Sequence, residues 1–389
     1  MVEKMAQQAT RARRDIELDF VRGIAILLAM GWHFNGVQTT IPVIKALLAP
    51  GHVLGWAGVD LFFVLSGYLI GSLVFAEYVK TRQFQAKRFL SRRALKIWPV
   101  FYAFLIIVLI SGVKPWREWL LQNALHVQNF FDAPIPHLWS LAVEEHFYLL
   151  FAASFALFAH YKGDIERIPY SLIIIMIMAL LLRTIAVASG VDGHSLQIIS
   201  FFRMDSLSAG VLLAYLKVFD AHRFDRLSSK KATLLATTAI GVGILASADA
   251  HGKFICSIGY TIAYITASAF VLFCYRHPVL VRASAPVRIT AWIGVFSYGL
   301  YVWHVMMGKV SDIIIPRFHI SDPTAIITLT IRYGGAIVVA VLVTRLVEVP
   351  FLRIRDRIFP APAIVTPSEV DQVESKINAS LQQCDRVEA

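Results

Sequence analysis

The sequence predicts an all-α integral membrane protein of about ten transmembrane helices with both termini in the cytoplasm, and three observations predict it. Of the 389 residues, 57% are hydrophobic and only 16% charged, whereas a soluble domain carries about 25% charged residues. Ten apolar stretches are each long enough for a hydrocarbon core of about 30 Å, which takes roughly 20 helical residues. Basic residues also sort by side: with the N-terminus inside, 26 of the 37 lysines and arginines fall on inner segments, six on outer segments and five in or at the ends of spans, as the positive-inside rule requires.

The stretches lie near 18–38, 54–76, 95–113, 139–160, 169–189, 199–217, 232–249, 254–275, 290–311 and 325–347. They divide the chain into a basic cytoplasmic segment, 1–16, a membrane unit, 17–350, and a polar cytoplasmic tail, 351–389. Arg11, Arg13 and Arg14 precede the first stretch as in a signal peptide, but no small-residue cleavage site follows and Trp32-His33 interrupts the apolar run, so an uncleaved first span is expected. The tail opens on Pro360, Pro362 and Pro367 and is expected to turn helical from Ser368. A net charge of +11 raises the question of nucleic acid, yet the cations are dispersed among short segments and form no patch or stripe, so no nucleic-acid partner is expected. Cys256 and Cys274 share an apolar stretch and Cys384 lies in the tail, which gives no disulfide framework.

Ionisable side chains within spans are costly in lipid and face a bundle interior or a wet cavity. The first stretch, LDFVRGIAILLAMGWHF, puts Arg22 at its cytoplasmic end and His33 about 16 Å of helical rise further on. The plainer reading has Arg22 snorkelling to the inner headgroups and His33 in the outer interface beside Trp32. The second stretch, GVDLFFVLSGYLI, enters from outside and places Asp60 at a depth like that of His33, where a carboxylate can orient an imidazole. Ser66-Gly67, deeper, suits close helix packing, since no G-x-S-x-G elbow surrounds the serine. Before the third span, KRFLSRRALKIWPVFY concentrates Lys87, Arg88, Arg92, Arg93 and Lys96, a set that suits the phosphates of a nucleotide-bearing cosubstrate or anionic lipid.

The fourth stretch, HLWSLAVEEHFYLLF, opens outside with Trp139, Ser140, Glu144 and Glu145; the two adjacent carboxylates point in different directions, so one at most turns towards His33. No metal site is expected from His137, Glu144, Glu145 and His146, whose spacings depart from H-E-x-x-H. Arg183 and the run FFRMDSLSAG, with Arg203 and Asp205, come from the fifth and sixth stretches and can also form buried pairs. The ninth, YGLYVWHVM, carries His304 in its outer half. His33, Asp60, Glu144, Glu145, Arg203, Asp205 and His304 thus converge from five spans on one leaflet, which predicts a shared outward-facing polar cavity.

In their order, the Arg22-to-His33 pair, GVDLFFVLSGYLI, RRALKIWP, WSLAVEEHFYL, FRMDSLSAG, YGLYVWH and VEVPFLR resemble the bacterial acyltransferase-3 family of membrane acyltransferases, from about Leu18 to Pro350. The resemblance implies an enzyme of the bacterial inner membrane that moves an acyl group, commonly acetyl, from cytoplasmic acyl-CoA to a hydroxyl on a sugar of a polysaccharide, lipopolysaccharide or other glycoconjugate. Acyl-CoA is then a cosubstrate, with no permanently bound cofactor. The family's basic motif, two arginines three apart, falls on Arg93 and Lys96; the lysine keeps the charge but loses the planar fork. Arg22, Arg88, Arg92, Arg93 and Lys96 are therefore the expected acyl-CoA ligands. His33 is the expected general base or acyl carrier, oriented by Asp60, Glu144 or Glu145. Trp139, Ser140, Arg203, Asp205 and His304 are the expected substrate contacts. Some family members carry a soluble hydrolase-like domain after the membrane unit, and nothing of that size follows Pro350, so the chain is expected to act alone or with a separate periplasmic partner. The rival expectation is a proton-coupled transporter or flippase, in which the same ionisable groups relay protons. A non-catalytic membrane scaffold is a third.

Overall fold

The computed structural model describes residues 15–34, 39, 41–112, 116–131, 135–278, 284–317 and 325–360, and every regular element among them is helical. The basic residues at 4–14, the helix expected from Ser368, and Cys384 lie outside the described residues. Helix is what an apolar segment must adopt where no water can satisfy its backbone. The long elements are α1 (Ile16–His33), α2 (Pro42–Leu54), α3 (Gly58–Thr81), α4 (Ala86–Ile110), α5 (Trp116–Ala124), α6 (Trp139–His160), α7 (Ile168–Ala188), α8 (Met204–Phe219), α9 (Lys231–Ala246), α10 (Tyr260–Arg276), α11 (Ala285–Val295), α12 (Ser297–Arg317) and α13 (Ile326–Ile358). Each of the ten apolar stretches falls on one of these helices or on a joined pair.

Among the described residues six helical rods are long and apolar enough to cross a bilayer: α2–α3 joined, α4, α6, α7, α10 and α13. The chain is a multi-pass membrane protein. α1 carries Glu17, Asp19 and Arg22 in its first turns, and α8 and α9 have 16 residues each, so these three are more charged or shorter than the six.

The ninth stretch departs from expectation. It is two helices, α11 and α12, meeting at 83° across Phe296. No proline marks the bend. Gly294 adjoins it, and a Cβ there would strike the Asp19 carbonyl of α1, so the glycine is what lets α11 lie directly on α1.

Small residues also set the most extensive helix contact, α3 against α8. A Cβ on Gly67 would run into the Leu207 carbonyl, and one on Gly210 into the Val64 carbonyl; close backbone approach of this kind is how helices associate where lipid is as apolar as the side chains. Gly67→Val should therefore destabilise by about 1–3 kcal/mol or more through overpacking, read as earlier thermal unfolding in detergent. Gly243→Val, where a Cβ meets nothing within 4 Å, should leave the unfolding temperature nearly unchanged.

Candidate active site

Three adjoining cavities run through the interior formed by α1, α3, α4, α6 and α12. The first, about 400 Å³, lies among Glu77, Lys80, Arg88, Arg92 and Arg355 and shares Arg22, Arg93 and Lys96 with the second. The second, about 140 Å³, adds Ser66, Ser140, Glu144, Tyr148 and Tyr301. The third, about 200 Å³, shares Val59 and Tyr301 with the second and holds His33, His137 and Trp139. The sequence thus leads from a basic end, where Arg22 sits, to the other end of the same helix, where His33 sits.

The five expected acyl-CoA ligands all line this run, but not equivalently. Arg22 binds Asp19 at 2.6 Å, Arg88 binds Glu77 at 2.7 Å, and Arg92 binds Asp356 at 3.0 Å and the Phe359 carbonyl. Arg93 and Lys96 make no ion pair among the described residues; the Arg93 guanidinium lies 5.8 Å from the ring centres of both Phe89 and Tyr148. One carboxylate, Glu144, shares the cavity with these two cations and with Arg22, so positive charge is in excess there; such an excess in the interior is costly, and a bound phosphate relieves that cost. Arg355 was missed by sequence reasoning. It arrives because α13 continues through Pro350 to Ile358, and the only hint was its place just after VEVPFLR.

The carboxylates correct the sequence expectation most. Glu144 belongs to the basic side: it accepts from the Tyr148 hydroxyl at 2.8 Å, and Ser66 Oγ lies 2.6 Å from that hydroxyl. With its proton given to Glu144, Tyr148 accepts from Ser66. Glu145 is buried, and its Oε1 has no partner. Asp60 accepts from Arg203 and from Ser206, each at 2.7 Å, while Asp205 pairs with Arg183 at 2.7 Å. Arg203 also lies 3.7 Å over the Tyr260 ring. No aspartate or glutamate is hydrogen-bonded to His33 among the described residues, and Arg203 and Asp205 line none of the three cavities. The single outward cavity expected for all seven groups is divided. The physical reason is the α3–α8 contact, which sets Arg203 and Ser206 directly on Asp60, and a buried carboxylate takes the guanidinium within reach.

His33 is oriented instead by histidine. His304 Nδ1 lies 3.0 Å from the Leu300 carbonyl and 2.8 Å from that of Tyr301, so it carries the proton and leaves Nε2 an acceptor. That Nε2 sits 2.9 Å from His33 Nδ1, which is itself 2.9 Å from the Ala29 carbonyl. His33 Nδ1 is therefore the donor, and the lone pair falls on His33 Nε2, which makes no hydrogen bond to the described protein. His33 is the exposed member of the group, whereas His304 is fully buried. This is the tautomer that a general base needs.

His137 completes the cluster, its ring centre 6.0 Å from that of His33 and 5.3 Å from that of His304. The expected substrate contacts Trp139 and Ser140 meet here: Trp139 lines the His33 cavity, while Ser140 donates to the Tyr301 hydroxyl and Tyr301 donates to the His137 carbonyl, each at 2.6 Å. The sequence marks His137 only by spacings that do not make a metal site, and Tyr148 and Tyr301 only as letters within motifs. Among the described residues no group of three histidine, cysteine, aspartate or glutamate side chains is arranged to hold a metal ion.

Comparison with known proteins gives the chain a family. A family model described as an acyltransferase domain matches residues 15–346. The chain is similar to the peptidoglycan O-acetyltransferase OatA of Listeria monocytogenes, 25% identical over 364 residues that cover 86% of this chain and 55% of that protein. It is also similar to the O-acetyltransferase OatA of Staphylococcus aureus, 28% identical over 276 residues that cover 64% of this chain and 45% of that protein. The chain thus spans about half the length of these curated relatives. No solved structure matches it.

Proposed function

The chain belongs to the acyltransferase family whose model spans residues 15–346, and from that membership we propose that it is an O-acyltransferase moving an acetyl group from acetyl-CoA to a hydroxyl of a cell-envelope glycan. The run of cavities between unpaired cations and an accessible, oriented imidazole carries this reading. The names of the relatives favour peptidoglycan or another envelope polysaccharide as the acceptor. The distribution of cations favours ten spans in a bacterial inner membrane, with both termini and the basic end cytoplasmic.

Arg93 and Lys96, helped by Arg355 and Arg22, bind the CoA phosphates, and the pantetheine arm follows the second cavity past Ser66, Tyr148 and Tyr301. At the far end His33 Nε2 takes the proton of the acceptor hydroxyl as its oxygen attacks the thioester carbon. The carbon–sulfur bond then breaks, and the thiolate leaves with the proton that His33 returns. A neutral alcohol is a poor nucleophile, and an imidazole is suited to take its proton near neutral pH.

The test is labelled acetyl-CoA supplied to the purified protein in proteoliposomes with an envelope-glycan extract; label should appear on the glycan. Arg93→Gln and Lys96→Gln should each raise the KM for acetyl-CoA about 10- to 100-fold, the range for a lost charge-assisted hydrogen bond, with kcat little changed. Arg88→Gln should do less, because Glu77 already engages that side chain. Export of a substrate driven by a proton gradient, with no acetyl-CoA consumed, would overturn the proposal in favour of transport.

A further inference from the structure

The cavity around His33 differs in chemistry from the two at the basic end. Its wall holds three tryptophans, one tyrosine, four histidines and Gln197, and no lysine, arginine, aspartate or glutamate. Two of the tryptophans, Trp32 and Trp56, and the rim residues His194, Gln197 and His251 have no role in the acyl-transfer chemistry above. His194 and Gln197 stand on the short helix Gly193–Ile198, and His251 follows α9 with its ring 6.1 Å from that of Trp32.

Asp192 and Asp249, beside these rim residues in the chain, do not line the cavity and are engaged locally. Asp192 accepts from the backbone N–H and hydroxyl of Ser195 at 2.9 and 2.6 Å, and Asp249 accepts from the His251 N–H at 3.1 Å. The bonds from Ser195 hold the Asp192 carboxyl below its ordinary range. Deeper in the wall two polar atoms are unpaired: the indole N–H of Trp56, a residue only 3% exposed, and Nδ1 of His137, only 2% exposed. His137 Nε2 lies 3.1 Å from the Val302 carbonyl and so carries the proton, which makes that Nδ1 an acceptor.

Flat apolar rings beside neutral donors and acceptors match the two aspects of a sugar, its C–H faces and its equatorial hydroxyls. A carboxylate or phosphate placed in such a wall would lose its water and meet no counter-ion. We propose that this cavity is the acceptor site and that it takes an uncharged sugar ring, laid on Trp32 and Trp56 and held at the mouth by His194, Gln197 and His251, with any charged group of the acceptor kept outside. The proposal rests on the acyl-transfer reading and assigns that reaction its acceptor residues.

The experiment uses the full chain in proteoliposomes with labelled acetyl-CoA and two probe acceptors, methyl glucoside and methyl glucuronoside, together with tryptophan-fluorescence titration of each. The glucoside should have a KM about tenfold or more below that of the glucuronoside. Gln197→Ala and Trp56→Leu should each raise the glucoside KM about 3- to 10-fold, the scale of one hydrogen bond or one aromatic contact, with kcat and the KM for acetyl-CoA unchanged. Gln197 stands on a partly exposed helix, so its variant keeps the test decisive if Trp56→Leu fails to fold. Equal use of the two probes, unchanged acceptor KM in the folded variants, or no binding of the glucoside would overturn the acceptor site. Glucoside binding without any acetyl transfer would keep the site and sink the acyl-transfer reading; transfer to envelope glycan that is indifferent to the variants would do the reverse.

Discussion

His33→Ala is expected to lower acetyl transfer by about 10²- to 10⁴-fold, the usual worth of a positioned general base, in protein that folds normally and binds acetyl-CoA as before. Folding should survive because the imidazole is exposed on its cavity and its hydrogen bonds go only to a neighbouring carbonyl and to His304. The loss belongs in kcat, since the unpaired cations lie at the opposite end of the cavity run. His304 acts through His33 and should be separable from it. His304→Leu removes the acceptor that fixes the His33 proton on Nδ1, and kcat should fall while the KM for acetyl-CoA stays. His304→Gln, whose amide oxygen can take the place of Nε2, should recover part of the loss; a merely space-filling role would predict the opposite order, with leucine the better substitute. Single-turnover rates with labelled acetyl-CoA make the comparison. A folded His33→Ala variant with full transfer would remove the histidine from the mechanism.

What could be read from the sequence, and what could not, follows from which coordinates a one-dimensional pattern encodes. Hydropathy and length fix where a helix lies and how deep along it a side chain sits, so each of the ten apolar stretches carries helix among the described residues and Arg22 and His33 stand towards opposite ends of α1. The direction in which a side chain points around the helix axis is set by packing. Asp60 has the depth expected of it, yet the Gly67–Leu207 and Gly210–Val64 contacts turn α3 so that the carboxylate meets Arg203 and Ser206 and not His33. Glu144 and Glu145 share a depth, and only packing decides that Glu144 enters the cavity with Arg93 and Lys96. The bend at Phe296 carries no proline and so leaves no mark in the pattern. Arg355 was hidden by Pro350, which suggests an end of helix; here the proline follows a π-turn, Thr344–Glu348, and sits at the first turn of a further helical segment, where its missing N–H is tolerated. The motif strings held nearly every residue of the site, but the pairing His304–His33 and the chain Ser66–Tyr148–Glu144 exist only in three dimensions.

Asp60→Ala should cost about 3–5 kcal/mol of stability, because it strands a buried guanidinium. Arg203 is 1% exposed, Asp60 fully buried, and the alanine would also take the acceptor from Ser206. Two buried atoms of Arg203, Nε and Nη1, already lack partners, so no neighbouring group stands ready to replace the carboxylate; the Tyr260 ring beneath the guanidinium offers only a cation–π contact. Asp60→Asn should do less harm, since an amide oxygen still accepts from Arg203 and Ser206. The combined change Asp60→Leu with Arg203→Met should recover much of the loss by removing both charges from the interior, the pattern seen when a buried pair is replaced by apolar groups of like volume. Thermal unfolding in detergent ranks the four proteins. If the double variant is as unstable as Asp60→Ala, the pair is not what holds α3 to α8. The same series decides the catalytic question: an Asp60 that works on His33 would lose kcat in every variant, whereas an Asp60 that only ties α3 to α8 should leave kcat per folded molecule nearly unchanged in the double variant.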